Sequence, residues 1–213
     1  LSLAPQIFFP DKTNPGIIRI DDLSGTNRTE ITQVNGSSFW DPIWVTVDYE
    51  NGRIFVLDRS DPDIIFLFDE FTESEQPAVV VTPDISGNLF DVSQLTLDGN
   101  NGFYVADSGN SRLVYFPNTN DLSYGVADNL VLSDFTGGVG VLASGDLVFS
   151  LYDDFSQSSN LQITSGIISG IAGDFADVTN PITFNTGPND LKDPSTIIAD
   201  DTYIYVSDSG DPS

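Results

Sequence analysis

Residues 95–116 read Leu-Thr-Leu-Asp-Gly-Asn-Asn-Gly-Phe-Tyr-Val-Ala-Asp-Ser-Gly-Asn-Ser-Arg-Leu-Val-Tyr-Phe, and this stretch decides the fold. It contains two aromatic and β-branched segments, 103–107 and 112–116, which are joined by a short polar turn. A turn rich in Asp, Asn and Gly precedes them. Short apolar segments bounded by such residues are typical of antiparallel strands. The stretch therefore predicts a β-hairpin whose first strand ends at Asp107.

The first strand of this hairpin recurs five times along the chain, and each copy stops at or near an Asp. The copies end at Asp11, Asp58, Asp107, Asp153 and Asp208, which are 47, 49, 46 and 55 residues apart. Asp153 is offset by one residue, so its copy is the weakest. Further strands follow the turn, follow a variable loop and precede the next copy. Four short strands per repeat are the signature of a β-propeller blade.

We therefore predict an all-β protein, a β-propeller of four-stranded antiparallel blades that forms a single domain over residues 1–213. A β-sandwich would have a similar density of strands but would need no fixed period. Continuously apolar strands such as 64–68 indicate burial on both faces, as between stacked blades. The predicted repeats are approximately 6–36, 37–83, 88–134, 135–187 and 190–213.

The stretch at 95–116 also resembles an NHL repeat, in which Tyr-Val-Ala-Asp-Ser-Gly-Asn is followed one residue later by Arg. The copies at 48–68 and 200–211 are similar but looser, and the copy from Asp146 lacks the Ala-Asp-Ser-Gly element. The resemblance implies that the strand before the signature strand lines a central channel. It implies no single function, because NHL-type propellers include lyases, lactonase-like enzymes and binding platforms.

The repeats do not close into a simple ring, because the second strand occurs five times and the innermost strand four times. Three arrangements remain open. The sequence is a piece of a six- or seven-bladed chain, a small four- or five-bladed ring with one strand displaced, or a subunit whose missing strands come from another copy. The third arrangement predicts self-association through open blade edges.

The composition excludes several functions. The chain has 32 acidic and 7 basic residues, a net charge of −25, and neither Cys nor His. Catalysis by His triads or thiols is therefore impossible within these residues, and nucleic acid is an unfavourable partner. No apolar stretch approaches about 18 residues, so we expect no membrane span. Acidity and polar loops favour an extracellular, periplasmic or cell-surface location.

The resemblance places the loops before the innermost strands and the turns after the signature strands on one face, which gathers several carboxylates. In residues 58–63 three Asp side chains lie within one loop, and Ca²⁺ prefers such oxygen ligands. The spacing differs from that of an EF-hand, and each Asp is equally suited to capping a turn. We assign Asp58, Asp61 and Asp63 as candidate Ca²⁺ ligands, and Trp40, Asp41, Asp107, Asp193 and Asp208 as candidate binding residues.

The predicted function is a binding or assembly scaffold for a protein or carbohydrate ligand, with an acidic face suited to Ca²⁺ or a cationic partner. Trp40 is the expected exposed platform, for instance against a sugar ring, whereas Trp44 is expected in the core. No residue is assigned as catalytic, because no spacing singles out an acid–base pair. The first alternative is a Ca²⁺-dependent lactonase-like hydrolase. The second is a structural subunit of an extracellular filament or surface layer.

Overall fold

The structure is a computed structural model that describes residues 6–34, 36–69, 79–81, 88–117, 128–131, 136–142, 145, 147–153, 158–164, 182–184, 194–200 and 202–208. The chain divides into two compact units, Leu1–Thr82 and Pro83–Ser213. Each unit is described by itself. The predicted Asp193 lies outside the described residues.

The first unit contains two antiparallel sheets and a short ribbon. The strands of the first sheet lie in the order β1 (Ile7–Asp11), β2 (Gly16–Ile20) and β3 (Thr29–Ile31). The ribbon pairs β4 (Gln33–Val34) with β5 (Ser37–Ser38). The second sheet contains β6 (Pro42–Asp48), β7 (Arg53–Asp58), β8 (Ile64–Asp69) and β9 (Val79–Val81), also in sequence order. The core includes the buried residues Ile17, Ile54, Val56, Phe66 and Phe68.

The second unit contains two four-stranded sheets and a hairpin. The third sheet has β10 (Val92–Leu97), β11 (Phe103–Asp107), β12 (Arg112–Phe116) and β13 (Asp128–Val131), with a 3₁₀ turn at Ser108–Asn110 between β11 and β12. The fourth sheet has β14 (Val139–Val141), β15 (Leu147–Asp153), β16 (Ser158–Thr164) and β17 (Ile182–Phe184). The hairpin pairs β18 (Pro194–Ala199) with β19 (Ile204–Asp208).

These sheets confirm the predicted all-β architecture and its order of antiparallel strands within each repeat. The β4–β5 ribbon is an addition that the repeat pattern does not predict, since its two-residue strands carry no alternation. Among the described residues, no helix is long and apolar enough to cross a membrane.

The register corrects the position of the weakest repeat. Asp58 pairs with Pro42, Asp107 with Val92 and Asp208 with Pro194, and a bulge follows each pair. In the fourth sheet Val139 pairs with Phe149. Phe149 therefore takes the register position that Val56 has in the second sheet and Val105 in the third. Leu151 therefore replaces the signature Asp, and Asp153 is displaced by two residues rather than one. The strand β15 simply continues to Asp153, which pairs with Ser158 of β16.

Neighbouring sheets of the second unit pack through alternate residues of their inner strands. Val139, Leu147 and Phe149 pack against buried Tyr104 and its neighbours in the preceding sheet. In the same way Ile197, Ile204 and Val206 pack against Val148. We call the side of a sheet that contacts the preceding repeat its leading face, and the opposite side its trailing face. Within the second unit, the β14–β17 sheet therefore covers the trailing face of the β10–β13 sheet, and the β18–β19 hairpin covers that of the β14–β17 sheet.

A buried amide joins the three innermost strands of the second unit. The Gln94 Nε2 donates to the Ile197 carbonyl at 2.6 Å, and its Oε1 accepts from the backbone N–H groups of Ile197 at 2.9 Å and Val139 at 3.3 Å. The middle one of these three strands, β14, and the residue before it require glycine at two positions. A Cβ at Gly138 would lie 2.8 Å from the Gln94 Oε1, and one at Gly140 would lie 2.9 Å from the Ile197 Cγ2.

Replacing Gln94 with Ala should lower the free energy of unfolding by about 2–4 kcal/mol, because three buried hydrogen bonds to backbone groups are lost together. Urea unfolding monitored by circular dichroism measures this change. Gln33→Ala, at an exposed position of β4, is the matched control and should change stability by less than about 0.5 kcal/mol. Equal effects of the two substitutions would contradict the role assigned to Gln94.

Candidate functional site

A buried carboxylate organises the loop that precedes β6. Asp58 is the last residue of β7 and is almost fully buried. Its Oδ2 accepts the backbone N–H of Trp40 at 2.8 Å, and its Oδ1 accepts that of Asp41 at 3.2 Å. The N–H of Arg59 in turn donates to the Asp41 carbonyl at 3.0 Å. The loop before β6 and the turn after β7 therefore form one fixed end of this sheet.

Trp40 projects from this fixed backbone into solvent. Its side chain is 76% exposed, whereas the preceding Phe39 is buried against Phe66, with ring centroids 4.9 Å apart. The carboxylate of Asp41 forms an ion pair with Lys12 at 3.4 Å. The expected exposure of Trp40 is thus confirmed. Trp44 is partly buried and donates from Nε1 to Thr46 Oγ1 at 2.8 Å, so it belongs to the sheet.

The same construction occurs at the signature motif of the next repeat. The Asp107 Oδ1 accepts the N–H of Phe90 at 2.9 Å, and its carboxylate also accepts the Asn110 amide at 2.9–3.0 Å and the Arg112 Nε at 2.5 Å. Arg112 is buried and also donates to the carbonyl of Asn88 at 3.3 Å. The Asp, Asn and Arg of the motif therefore hold the loop at 88–90 against the end of β11.

Phe90 occupies the position of Trp40 in its own repeat. Its side chain is 63% exposed, and its carbonyl accepts the N–H of Gly109 at 3.0 Å. A Cβ at Gly109 would collide with the Phe90 ring, which explains the glycine of the motif. Sequence analysis missed Phe90. The available signal is an aromatic residue followed by Asp, located 17 or 18 residues before the signature Asp, as in Trp40-Asp41 and Phe90-Asp91.

Three other Asp side chains bind the backbone of their own turn, and one of them, Asp98, also accepts the Tyr115 hydroxyl at 2.8 Å. Between the first two strands of three repeats, one carboxylate oxygen accepts two backbone N–H groups that lie two to four residues further on. The distances range from 2.6 to 3.1 Å at Asp48, Asp98 and Asp200. Such Asx turns satisfy the backbone locally. These carboxylates are therefore used in the fold.

The candidate Ca²⁺ ligands do not converge. Asp58 is engaged with two N–H groups, Asp61 is exposed, and Asp63 is buried. Within the part of the chain that the structure describes, no three acidic side chains come together as a group that could hold a metal ion. Asp208 ends β19 and is exposed. Ca²⁺ binding, and ligand binding by Asp107 and Asp208, stay predictions.

Two carboxyl groups of the first unit have opposite pKa shifts. Burial raises the pKa of Asp58 above its ordinary value of 3.8, and the N–H groups of Trp40 and Asp41 offset this only in part. Hydrogen bonds from the hydroxyls of Ser24 and Thr26 lower the pKa of the exposed Asp22 to about 2. The shift at Asp58 reports the desolvation that accompanies its role in the loop.

Comparisons with known proteins identify the fold but no family. No protein-family model and no curated protein matches the chain. Among solved structures, a catalytically inactive virginiamycin B lyase from Staphylococcus aureus with quinupristin superposes with a TM-score of 0.65 at 14% identity. That match covers 96% of this chain and 60% of the lyase, so the chain spans less than two thirds of its length.

Two further matches agree with this result. A streptogramin B lyase gives a TM-score of 0.58 at 13% identity, covering 95% of this chain and 72% of the other. Hydrazine synthase from Kuenenia stuttgartiensis gives 0.60 at 14% identity, covering 90% and 47%. Identities this low establish the fold alone. The protein is a β-propeller, and its function has to be inferred from its own residues.

Asp107→Asn should lower the free energy of unfolding by about 3 kcal/mol, because the buried Arg112 guanidinium loses its carboxylate partner. Urea unfolding measures the loss. The matched control is Asp61→Asn at an exposed position, for which we expect a change below about 0.5 kcal/mol. A loss at position 107 no larger than the control would refute the structural role of the motif.

The two shifted carboxyl groups should titrate on opposite sides of pH 3.8 in carboxyl ¹³C NMR. Protonation of Asp58 is easier in the folded state, so its contribution to stability is greatest below pH 3.8 and falls as the pH rises through its folded pKa. The contribution of Asp22 is present above pH 3.8 and is lost as the pH falls through about 2. Two coincident midpoints near 3.8 would show that neither environment is as described.

Proposed function

We propose that the protein is a secreted or cell-surface propeller that binds a neutral glycan through aromatic residues at the fixed loop ends of its repeats. One observation carries this proposal. The indole ring of Trp40 is 76% exposed although the buried Asp58 holds its backbone N–H. The exposure of a large apolar ring to water is unfavourable, and a ligand that covers the ring removes this cost. Because the ring stands on a rigid loop, it is suited to a ligand with a flat apolar side.

The rigid loop favours binding because little conformational freedom is left to lose. Association loses free energy when side chains and loops become ordered, and a preorganised loop reduces this loss. The Trp40 ring can pack against the C–H face of a sugar ring. In the turn after β7, Asp61 is exposed and supplies a carboxylate for sugar hydroxyls, and the half-buried Ser60, whose hydroxyl donates to the Pro62 carbonyl at 2.7 Å, can accept a further hydrogen bond.

Charge favours a neutral glycan over an anionic one. The net charge of −25 repels anionic polymers at long range. Close to the ring, Asp41 is already paired with Lys12. The local site therefore offers a ring and hydrogen-bonding groups rather than a strong field for a cationic partner.

A second aromatic residue at the same repeat position supports a polymeric ligand. Phe90 is exposed, its N–H is held by Asp107, and Asp91 beside it is exposed. Two weak sites on one chain can bind a repeating polymer with an avidity that neither site has alone.

The other predicted functions receive less support. A lactonase-like hydrolase needs carboxylate oxygens that are free for Ca²⁺, whereas those of Asp58 and Asp107 accept hydrogen bonds from the protein. Among the described residues of the glycan site, none favours the second alternative, a structural subunit of a filament or surface layer. Binding of Ca²⁺ or a cationic partner to the acidic surface stays a secondary prediction.

The test is binding to a panel of insoluble neutral polysaccharides, namely cellulose, chitin, mannan and β-1,3-glucan, measured as depletion of the protein from solution. We expect saturable binding to at least one of them, and Trp40→Ala should weaken it about tenfold, equivalent to about 1.4 kcal/mol. Trp40→Phe should retain part of the affinity, and Trp40→Ala combined with Phe90→Ala should lose nearly all of it.

Tyr49→Ala is the matched control, because Tyr49 is an exposed aromatic residue just beyond the opposite end of β6. Its affinity should change less than twofold. Parallel titrations with CaCl₂ and with a polylysine peptide test the secondary predictions. Binding of the peptide with no binding to any polysaccharide, or equal losses in Trp40→Ala and Tyr49→Ala, would reject the glycan site.

A further inference from the structure

Two turns of the chain share the sequence pattern Asp-x-x-Asn-Gly. They are residues 48–52, between β6 and β7, and residues 98–102, between β10 and β11. In an Asn-Gly pair the backbone nitrogen of Gly can attack the side-chain amide carbon of Asn, because no Cβ on Gly hinders the approach. A third Asn-Gly pair, at 35–36, begins outside the described residues. The two turns therefore offer the same reaction in two environments.

The turn at 98–102 engages the attacking nitrogen. The N–H of Gly102 donates to the Asp98 Oδ1 at 2.8 Å, and the Gly102 carbonyl accepts the N–H of Asp98 at 3.0 Å. Gly102 is buried, and a Cβ there would lie 2.5 Å from the Tyr115 hydroxyl. The nitrogen of Gly102 is thus fixed by a hydrogen bond and by close packing, and reaction at Asn101 requires both to be given up.

The turn at 48–52 uses its carboxylate differently. The Asp48 Oδ1 accepts the N–H groups of Glu50 and Asn51, both at 3.1 Å. Among the described residues, none accepts a hydrogen bond from the N–H of Gly52. Gly52 is exposed with a φ of +67°, and an added Cβ would meet no atom within 4 Å. The nitrogen of Gly52 therefore faces solvent and has room to move.

The side chain of Asn51 is held at one point that has to open. Its Nδ2 donates to the Asp48 Oδ2 at 2.7 Å. Asn51 itself is exposed, so the side chain can rotate away into water while the strands on either side of the turn stay paired. Openings of this local kind require far less free energy than unfolding of the sheet.

We propose that Asn51 is a site of spontaneous deamidation and that the fold protects Asn101 from the same reaction. The Gly52 nitrogen loses its proton and bonds to the Asn51 Cγ, the Cγ–Nδ2 bond breaks, and ammonia leaves with a proton. The product is a five-membered succinimide. Water then opens either of its C–N bonds and leaves an aspartyl or an isoaspartyl residue. One water is consumed, one ammonia is released and the chain gains one negative charge.

This modification weakens the turn in which it occurs. The new carboxylate replaces an amide that donates to Asp48, so a hydrogen bond is lost and two like charges meet. The isoaspartyl form also lengthens the backbone beside the pair that Asp48 forms with Arg53. The proposal is independent of glycan binding, because Trp40 precedes the opposite end of β6.

The experiment follows the folded wild-type chain during prolonged incubation at neutral and at mildly alkaline pH. Peptide mapping by mass spectrometry and an isoaspartyl methyltransferase assay measure conversion at each Asn. Asn51 should convert, faster at alkaline pH because the attacking nitrogen has to lose its proton. Asn101 should convert at least about tenfold more slowly, since its Gly nitrogen first has to leave a carboxylate acceptor. In concentrated urea the two rates should become similar.

Two variants sharpen the comparison. Asp98→Ala removes the acceptor of the Gly102 N–H and should raise the rate at Asn101 towards that at Asn51, with circular dichroism as the check that it folds. Aged wild type should unfold at a lower urea concentration than fresh protein, whereas Asn51→Gln should show a smaller change with age. Equal rates at Asn51 and Asn101 in the folded chain overturn the proposal. So does conversion of Asn51 in urea without conversion in the folded chain.

Discussion

A buried carboxylate at the end of the second strand of a repeat is the interaction on which the described loops depend. At Asp58 and Asp107 it binds the backbone N–H of the aromatic residue that lies two positions before the innermost strand. Hydrogen bonds to a charged group contribute about 1.5–3 kcal/mol each, and an unpaired buried carboxylate would be very unfavourable. The carboxylate therefore holds the loop close to the strand end, and the aromatic side chains of the two loops, Trp40 and Phe90, are exposed there.

The two repeats meet the cost of burying this charge differently. Asp107 is paired with the buried Arg112 and with Asn110, so two polar residues of the Asp-Ser-Gly-Asn-Ser-Arg motif bind the carboxylate of its first residue. At Asp58 burial raises the pKa, and the N–H groups of Trp40 and Asp41 offset only part of this. The signature motif is therefore a structural element, and its polar residues are poor evidence for catalysis or metal binding.

Part of the unusual acidity of the chain is also structural, because many Asp carboxylates accept backbone N–H groups in turns. Asp has one methylene fewer than Glu, so its carboxylate reaches the N–H groups two or three residues further on. Asp11, Asp48 and Asp200 all bind their turns in this way. A protein made of many short strands needs many turns, which favours Asp over Glu. The surface charge that results then disfavours anionic ligands and leaves uncharged surfaces, such as the Trp40 ring, as the better contacts.

The sequence by itself determined the strands, their order within each repeat and the propeller class, because these are recorded in short apolar segments bounded by turn residues and in their period of 46–55 residues. It also determined the exposure of Trp40. Tertiary structure alone decided that Gln94 binds Ile197, 103 residues away, that Leu151 replaces the signature Asp, and that Asp58, Asp61 and Asp63 do not converge. These features depend on register and on the packing of one sheet upon the next, and no local pattern records either of them.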